Sequence, residues 1–289
     1  MTRTVTRSTS GCGTVDGPVL ARRALVLLLV VPTAVHALPR AVRARAQAAP
    51  PTALIEELHG ADLNRAVSAA EALGALATAP ARAALLRAIG LGAPPPVLLA
   101  AIRALGQPGA LEAVSLLRHY ATYRAAAVRS AALAALGRVG GAEAETTIVA
   151  ALGDGDAPVR QTAAELVVEL RLRVAEPLLL RLLRRGDPAA MAALEQLGAA
   201  RTVAALSAPV AAGAEAAWPT AIRARVLGGL LLRPDFGPDP LRLRVVETLA
   251  ALRYPAATAA LKRYRATVPA DQRRPSLVAA ETALRGLDR

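Results

Sequence analysis

The fold turns on the stretch Leu152–Val167, LGDGDAPVRQTAAELV. A polar loop with Gly153, Asp154, Gly155 and Asp156 leads through Pro158 into an alanine-bearing run that carries Arg160 and Glu165. Two acids beside a glycine suit the start of a calcium loop, but such a loop needs oxygen ligands at alternate positions and a closing glutamate twelve residues from its start. Here Ala157, Pro158, Val159 and Arg160 follow, so a cation stands where a ligand is required. The loop reads instead as a turn and helix N-cap. Proline in the first helical turn sacrifices no hydrogen bond and presets φ, so Pro158 marks a helix start.

The same pattern recurs along the chain. Residues closing "ALG"-like helix ends are Gly74, Gly106, Gly137, Val168, Gly198 and Gly228, at intervals of 32, 31, 31, 30 and 30. Helix-start positions are Pro96, Ala127, Pro158, Pro188 and Pro219, at intervals of 31, 31, 30 and 31. Two markers with one period predict a repeat. The glycines are expected as left-handed C-caps, which glycine adopts cheaply. Between the markers, VRSAALAALGRVG (Val128–Gly140) has helical apolar spacing, and a second apolar helix follows in each unit, as in VAEPLLLRLLRR (Val174–Arg185). One such pair cannot bury its apolar face alone, so neighbours must stack. The predicted fold is all-α, a solenoid of antiparallel helix pairs spanning 49–289 with about six to seven pairs. Composition agrees: hydrophobic residues are 54% of the chain but aromatics only 2%, a mix that favours close-packed helices over strands.

The period degrades toward the C-terminus. LLLRPDFGPDP (Leu230–Pro240) interrupts it, and Pro240 follows Pro219 by 21 residues instead of 31. The segment from Pro275 reads as a capping helix over 275–287.

Asp154, Asp156, Pro158, Val159 and Arg160, with the small-residue helix Thr162–Ala164 behind them, resemble HEAT repeats, particularly the short HEAT-like repeats also found in phycobilin lyases. Val128-Arg129, Asp187-Pro188 and Asp239-Pro240-Leu241-Arg242 repeat parts of the motif, and the resemblance covers roughly residues 52–266. It implies a superhelical fold and says little about activity, because one fold serves many functions. It also implies an inter-repeat polar ladder, with Asp156 paired to Arg129 or Arg160.

The net charge of +13 divides unevenly: residues 1–50 carry +6, residues 51–240 carry +1 and residues 241–289 carry +6. A phosphate-tracking groove needs clustered positive charge along its length, usually with aromatic platforms. The body has neither, so nucleic acid is not the expected partner. Near the N-terminus Arg22-Arg23 precede ALVLLLVVPTAVHAL (Ala24–Leu38), about 15 mostly apolar residues. This fits a secretory signal and falls short of the ~20 residues a membrane span needs. Residues 1–48 are read as a targeting segment that exports the protein, or, if uncleaved, anchors it to a membrane. Arg40, Arg43 and Arg45 just after the apolar run favour the anchor alternative. Cys12 is the one cysteine and precedes the apolar run, so neither a lipid anchor nor a disulfide is expected.

No catalytic constellation or cofactor motif is legible. His59 and His119 lack acids at ligand spacing, and Asp235-Phe236-Gly237 matches a kinase triplet without its companions. Two features suit an interaction patch. Arg118, His119, Tyr120, Tyr123 and Arg124 concentrate aromatic and cationic groups, types enriched at interface hot spots. Asp235 and Phe236 lie in the loop that breaks the repeat, and loops often carry binding function. The expected function is a non-enzymatic scaffold that binds another protein, with no cofactor and no metal. The alternative is a lyase- or hydroxylase-type enzyme, or a chromophore-handling protein, on the same repeat. The basic C-terminal 49 residues raise a further option, contact with anionic lipid or nucleic acid.

Overall fold

The computed structural model describes residues 42, 44, 50–208, 218–269 and 273–287; the 1–48 targeting segment lies essentially outside them. From Pro51 to Leu287 the described residues form fifteen α-helices and no strand. In chain order these are α1 (Pro51–Leu58), α2 (Leu63–Leu76), α3 (Ala79–Gly90), α4 (Pro95–Leu105) and α5 (Val114–Tyr120). Next come α6 (Ala126–Val139), α7 (Ala142–Ala151), α8 (Ala157–Glu169), α9 (Glu176–Arg184) and α10 (Pro188–Leu197). The last are α11 (Ala200–Ser207), α12 (Thr220–Leu232), α13 (Asp239–Leu252), α14 (Pro255–Thr267) and α15 (Pro275–Leu287). All lie in the unit Pro39–Arg289.

Local chemistry sets the helix starts. Proline occupies the first turn of α1, α3, α4, α8, α9, α10, α13 and α14. Asp62, Thr78 and Asp187 cap α2, α3 and α10 by accepting backbone N–H bonds. Asp156 occupies the N-cap position of α8 but makes no cap bond with its side chain. That carboxylate turns instead to a cation from the preceding repeat.

The helices stack in two layers. Even-numbered helices α2 to α14 each pack against the next even one, forming layer A. Odd-numbered helices form layer B, in which α3 and α5, and α7 and α9, are not closely packed. A single apolar cluster of mainly Ala, Leu and Val runs between the layers from Leu54 to Leu284. Layer B is looser in its first part and closes again at α13 and α15, which pack as closely as pairs of layer A.

The glycines produce the tight spacing of layer A, and here the sequence expectation is corrected. None of Gly74, Gly106, Gly137, Gly198 and Gly228 has positive φ, and Gly74, Gly137 and Gly228 lie inside their helices. The left-handed glycines are others, such as Gly140 and Gly186 in the turns. A Cβ on Gly74 would lie 2.7 Å from the Ala104 Cβ, one on Gly106 2.8 Å from the Ala135 Cα, and one on Gly228 2.9 Å from the Ala260 Cβ. A Cβ on Gly198 would instead meet the Leu194 carbonyl and Thr202. At Gly74, Gly106 and Gly228 the repeating glycine is thus a point of close approach between neighbouring layer-A helices. Its cost inside a helix, about 1 kcal/mol, is offset by the packing it permits.

Candidate functional site

Both ends of layer A are laced by polar side chains. At the N-terminal ends, Arg129 stands at the fourth position of α6. Its Nε and Nη2 each donate at 2.8 Å to the two carboxylate oxygens of Asp154, and Nη2 donates to Asp156 at 2.6 Å. Its Nη1 donates to the carbonyls of Tyr123 and Arg124, closing the turn before its own helix. Arg160, at the same helical position of α8, repeats the device one unit on, donating to Asp187 at 2.7 Å and to the carbonyls of Asp154 and Gly155. Arg129 is thus the partner of Asp156, while Arg160 reaches forward to Asp187. The reason is direction: each arginine extends toward the next repeat, and Asp156 precedes Arg160 on its own helix. Bonds from Arg129 hold the Asp154 carboxyl below its usual pKa. Burial pushes Asp187 up, but bonds from Arg160 and the N–H groups of Ala190 and Ala189 outweigh it, and the net shift is downward. The ladder stops at α10, where Met191 occupies the arginine position.

At the C-terminal ends, donors of one repeat satisfy carbonyls of the one before. Gln107 donates to Gly74, Arg138 to Arg103 and Arg233 to Gly198. Cations there complement the negative ends of the helix dipoles. Arg138 can lie across the chain because Gly106 beneath it has no side chain: a Cβ would meet its guanidinium at 2.7 Å.

Between α8 and α10 the face of layer A opens into a groove of about 480 Å³. Its floor is largely Ala164, Ala189, Ala192, Ala193 and Val168; Gln161, Glu165, Glu169 and Gln196 rim it, and the Arg160–Asp187 pair closes one end. A smaller hollow of about 200 Å³ shares Val168 and Gln196 with it and is bordered by Arg171, Arg173, Arg233 and Asp235. One residue of the groove departs from the repeat. Val168 stands where the other copies carry glycine or, in Gly106 and Gly198, a glycine cap. α8 and α10 still pack as closely as the neighbouring pairs of layer A, and the Val168 side chain lines the groove between them.

The sequence-derived patch residues divide. Arg118, His119 and Arg124 are exposed, Tyr120 and Tyr123 half-buried, all at the α5–α6 turn. His119 meets Tyr120 edge-on at 5.3 Å, Tyr120 and Tyr123 lie 5.4 Å apart, and Arg124 stands 5.9 Å from the Tyr123 ring. Burial lifts the Tyr120 phenol above its usual pKa, and Tyr123 adds to this. Arg118 bonds Glu143 of α7 at 2.7 Å. Asp235 and Phe236 belong elsewhere, on the α12–α13 loop. Phe236 is a correction: it is 4% exposed, with the Arg242 guanidinium 5.7 Å from its ring, so it anchors the loop in the core. Asp235 bridges Arg233 and Arg171, and the Arg233 bonds hold its carboxyl below the usual range. His59 and His119 lie on α1's end and on α5, and no group of three potential metal ligands occurs among the described residues.

Two polar clusters had no sequence signal, because their partners lie 23 to 37 residues apart. Glu176, buried at the start of α9, accepts from the N–H groups of Ala199 and Thr202 and from the Thr202 hydroxyl, capping α11. Asp239, at the start of α13, accepts from the N–H and hydroxyl of Ser276 and so caps α15; the Tyr264 hydroxyl shares a 2.7 Å bond with Ser276.

No protein-family model matches the chain, and no curated protein sequence does. Among solved structures it is similar to the complex of CpcE and CpcF of phycocyanin lyase from Nostoc sp. PCC7120, at 20% identity over 83% of this chain and 95% of that one, TM-score 0.43. It is also similar to an engineered protein, at 19% identity over 86% and 74%, TM-score 0.42. Human deoxyhypusine hydroxylase follows, at 17% identity over 86% and 89%, TM-score 0.27.

Proposed function

We propose that the protein is a HEAT-like solenoid that holds another protein on the open face of layer A, as a scaffold rather than an enzyme. The observation that carries the reading is the groove between α8 and α10 on the face of layer A, whose lining includes Val168 where other copies carry glycine. An alanine floor with a polar rim has the anatomy of an interface core, apolar at the centre and charged at its edge. The Tyr120–Arg124 turn is a second contact point. The apolar run Ala24–Leu38 supports export, or tethering to a membrane through residues 1–48. Among the described residues no helix is long and apolar enough to cross a membrane.

The test is site-specific photocrosslinking of the full chain in the cells that make it, from Ala192 on layer A and from Ala83 on layer B. A discrete protein adduct from Ala192 and none from Ala83 is expected. Adducts of equal yield from both positions, or none from Ala192, overturn the reading.

The groove volume also falls within the few hundred Å³ typical of small-molecule sites, which favours a chromophore- or ligand-handling enzyme as the second reading. Mass spectrometry of the native chain distinguishes them: a small molecule retained by the wild type and lost in Val168→Gly supports the second reading over the first.

A further inference from the structure

Resting on the scaffold reading, we infer that the occupant of the α8–α10 groove is a cationic segment of the partner protein, with arginine or lysine side chains lying in the groove. The chain carries 35 basic and 22 acidic residues, so an acidic strip runs against its overall charge. Glu165 and Glu169 stand one helical turn apart on the exposed side of α8, on one rim of the groove. Glu165 accepts a bond from Gln161 of its own helix, and among the described residues the Glu169 carboxylate makes no direct hydrogen bond or ion pair, Arg138 attracting it only at longer range. These acids contrast with the other carboxylates of the region. Asp154, Asp156, Asp187 and Asp235 are all bound by arginines, and Glu195 on the neighbouring helix is held by Arg225 at 2.7 Å. The fold satisfies its structural carboxylates internally and leaves this pair facing an open hollow.

The floor matches the same occupant. Long cationic side chains bury their hydrocarbon stems on apolar surface and keep the charged head at the edge. Alanines with one valine beneath two carboxylates provide both halves of that recognition. An anionic occupant is disfavoured along this rim, and a metal ion would find two carboxylates without a third ligand. The far hollow, with Arg171, Arg173 and Arg233 around Asp235, sets a polarity, because cationic side chains are repelled at that end. The segment is therefore held over Glu165 and Glu169 and stops short of that hollow.

The experiment uses the full chain and a short synthetic peptide of alternating arginine and alanine, with a glutamine–alanine peptide as neutral control. Binding is followed by fluorescence anisotropy. Glu165→Gln combined with Glu169→Gln is expected to weaken the basic peptide about tenfold, and the neutral peptide is expected not to bind. Glu71→Gln combined with Glu145→Gln changes the net charge equally at exposed sites away from the groove, and is expected to leave the affinity unchanged. Equal weakening by both pairs, or by neither, overturns the inference. The crosslink from Ala192 separates the two failures: if it persists at full yield in the Glu165/Glu169 variant, the scaffold reading stands and the cationic occupant falls.

Discussion

In the middle of the stack, from α6 to α10, successive repeats are joined by a ladder of arginine–aspartate pairs. From α9 to α15 that ladder is absent among the described residues, and buried polar groups add links of another kind beside exposed pairs such as Arg225–Glu195. Arg129 and Asp154 are 12% and 13% exposed, and each ladder arginine spreads its donors over two repeats. Further on, Glu176, Arg242 and Ser276 are buried on layer-B helices, and each bonds to backbone groups or a remote cap. Arg242 is the clearest case. It occupies the fourth position of α13, as Arg129 and Arg160 do in their helices, but no aspartate of a following repeat meets it. It donates instead to the carbonyls of Leu231, Arg233, Pro234 and Gly237, holding the loop that breaks the period. The fourth helical position thus holds a rung arginine on layer A and a loop-clamping arginine on the layer-B helix α13, while on α12 the layer-A position carries Arg223, which donates to the Leu206 carbonyl. An irregular repeat has no partner carboxylate at the expected distance, so its buried polar groups must find main-chain partners.

The largest expected effect tests the clamp. Arg242→Met leaves several carbonyls short of donors and is expected to cost about 3 kcal/mol or more, measured by urea unfolding. Hydrogen exchange should localise the loss to the α12–α13 loop; even protection losses along the whole stack would mean that the two regions are not distinct. Next is Glu176→Ala, expected to cost about 2 kcal/mol by uncapping α11, with Glu176→Gln retaining part of this because its amide oxygen still accepts. Equal losses in both variants would show that burial, rather than capping, sets the value.

The ladder comes third. Arg129→Met is expected to cost about 1–2 kcal/mol, less than either buried device, because its pairs are partly solvated. It also carries the pH dependence. The folded pKa values of Asp154 and Asp187 lie below their unfolded values near 4, so the stability they contribute is present above that range and is lost as pH falls through the folded values. Acid titration with hydrogen exchange should therefore loosen the Asp154 and Asp187 turns below about pH 4, with the Asp154 turn alone less affected in Arg129→Met. The smallest effect is at the surface: Arg118→Ala breaks a pair that is 50% and 68% exposed and should change stability by less than about 0.5 kcal/mol. A larger change would mark Arg118 as a structural rung instead of a contact residue.

Much of this architecture was legible in the chain. Prolines at helix starts act through their own φ and missing N–H, and apolar spacing acts over one or two turns, so both can be read residue by residue. The roles of the recurring glycines could not, because closing a helix and admitting a neighbour both favour the residue without a Cβ. Loop context suggests Phe236 as a contact residue, and its burial depends on where α12 and α13 meet. The Glu176 and Asp239 caps join residues that no local pattern relates.

By itself, the sequence determined the helical class, the period of about 31 residues and the positions of most helix starts, since these follow from backbone chemistry and local apolar spacing. Only the tertiary structure decided which arginine meets which aspartate, where a groove lies on the face of layer A, and which carboxylates line it. Those outcomes depend on the distance between stacked helices, and that distance is set by side chains facing each other across neighbouring repeats.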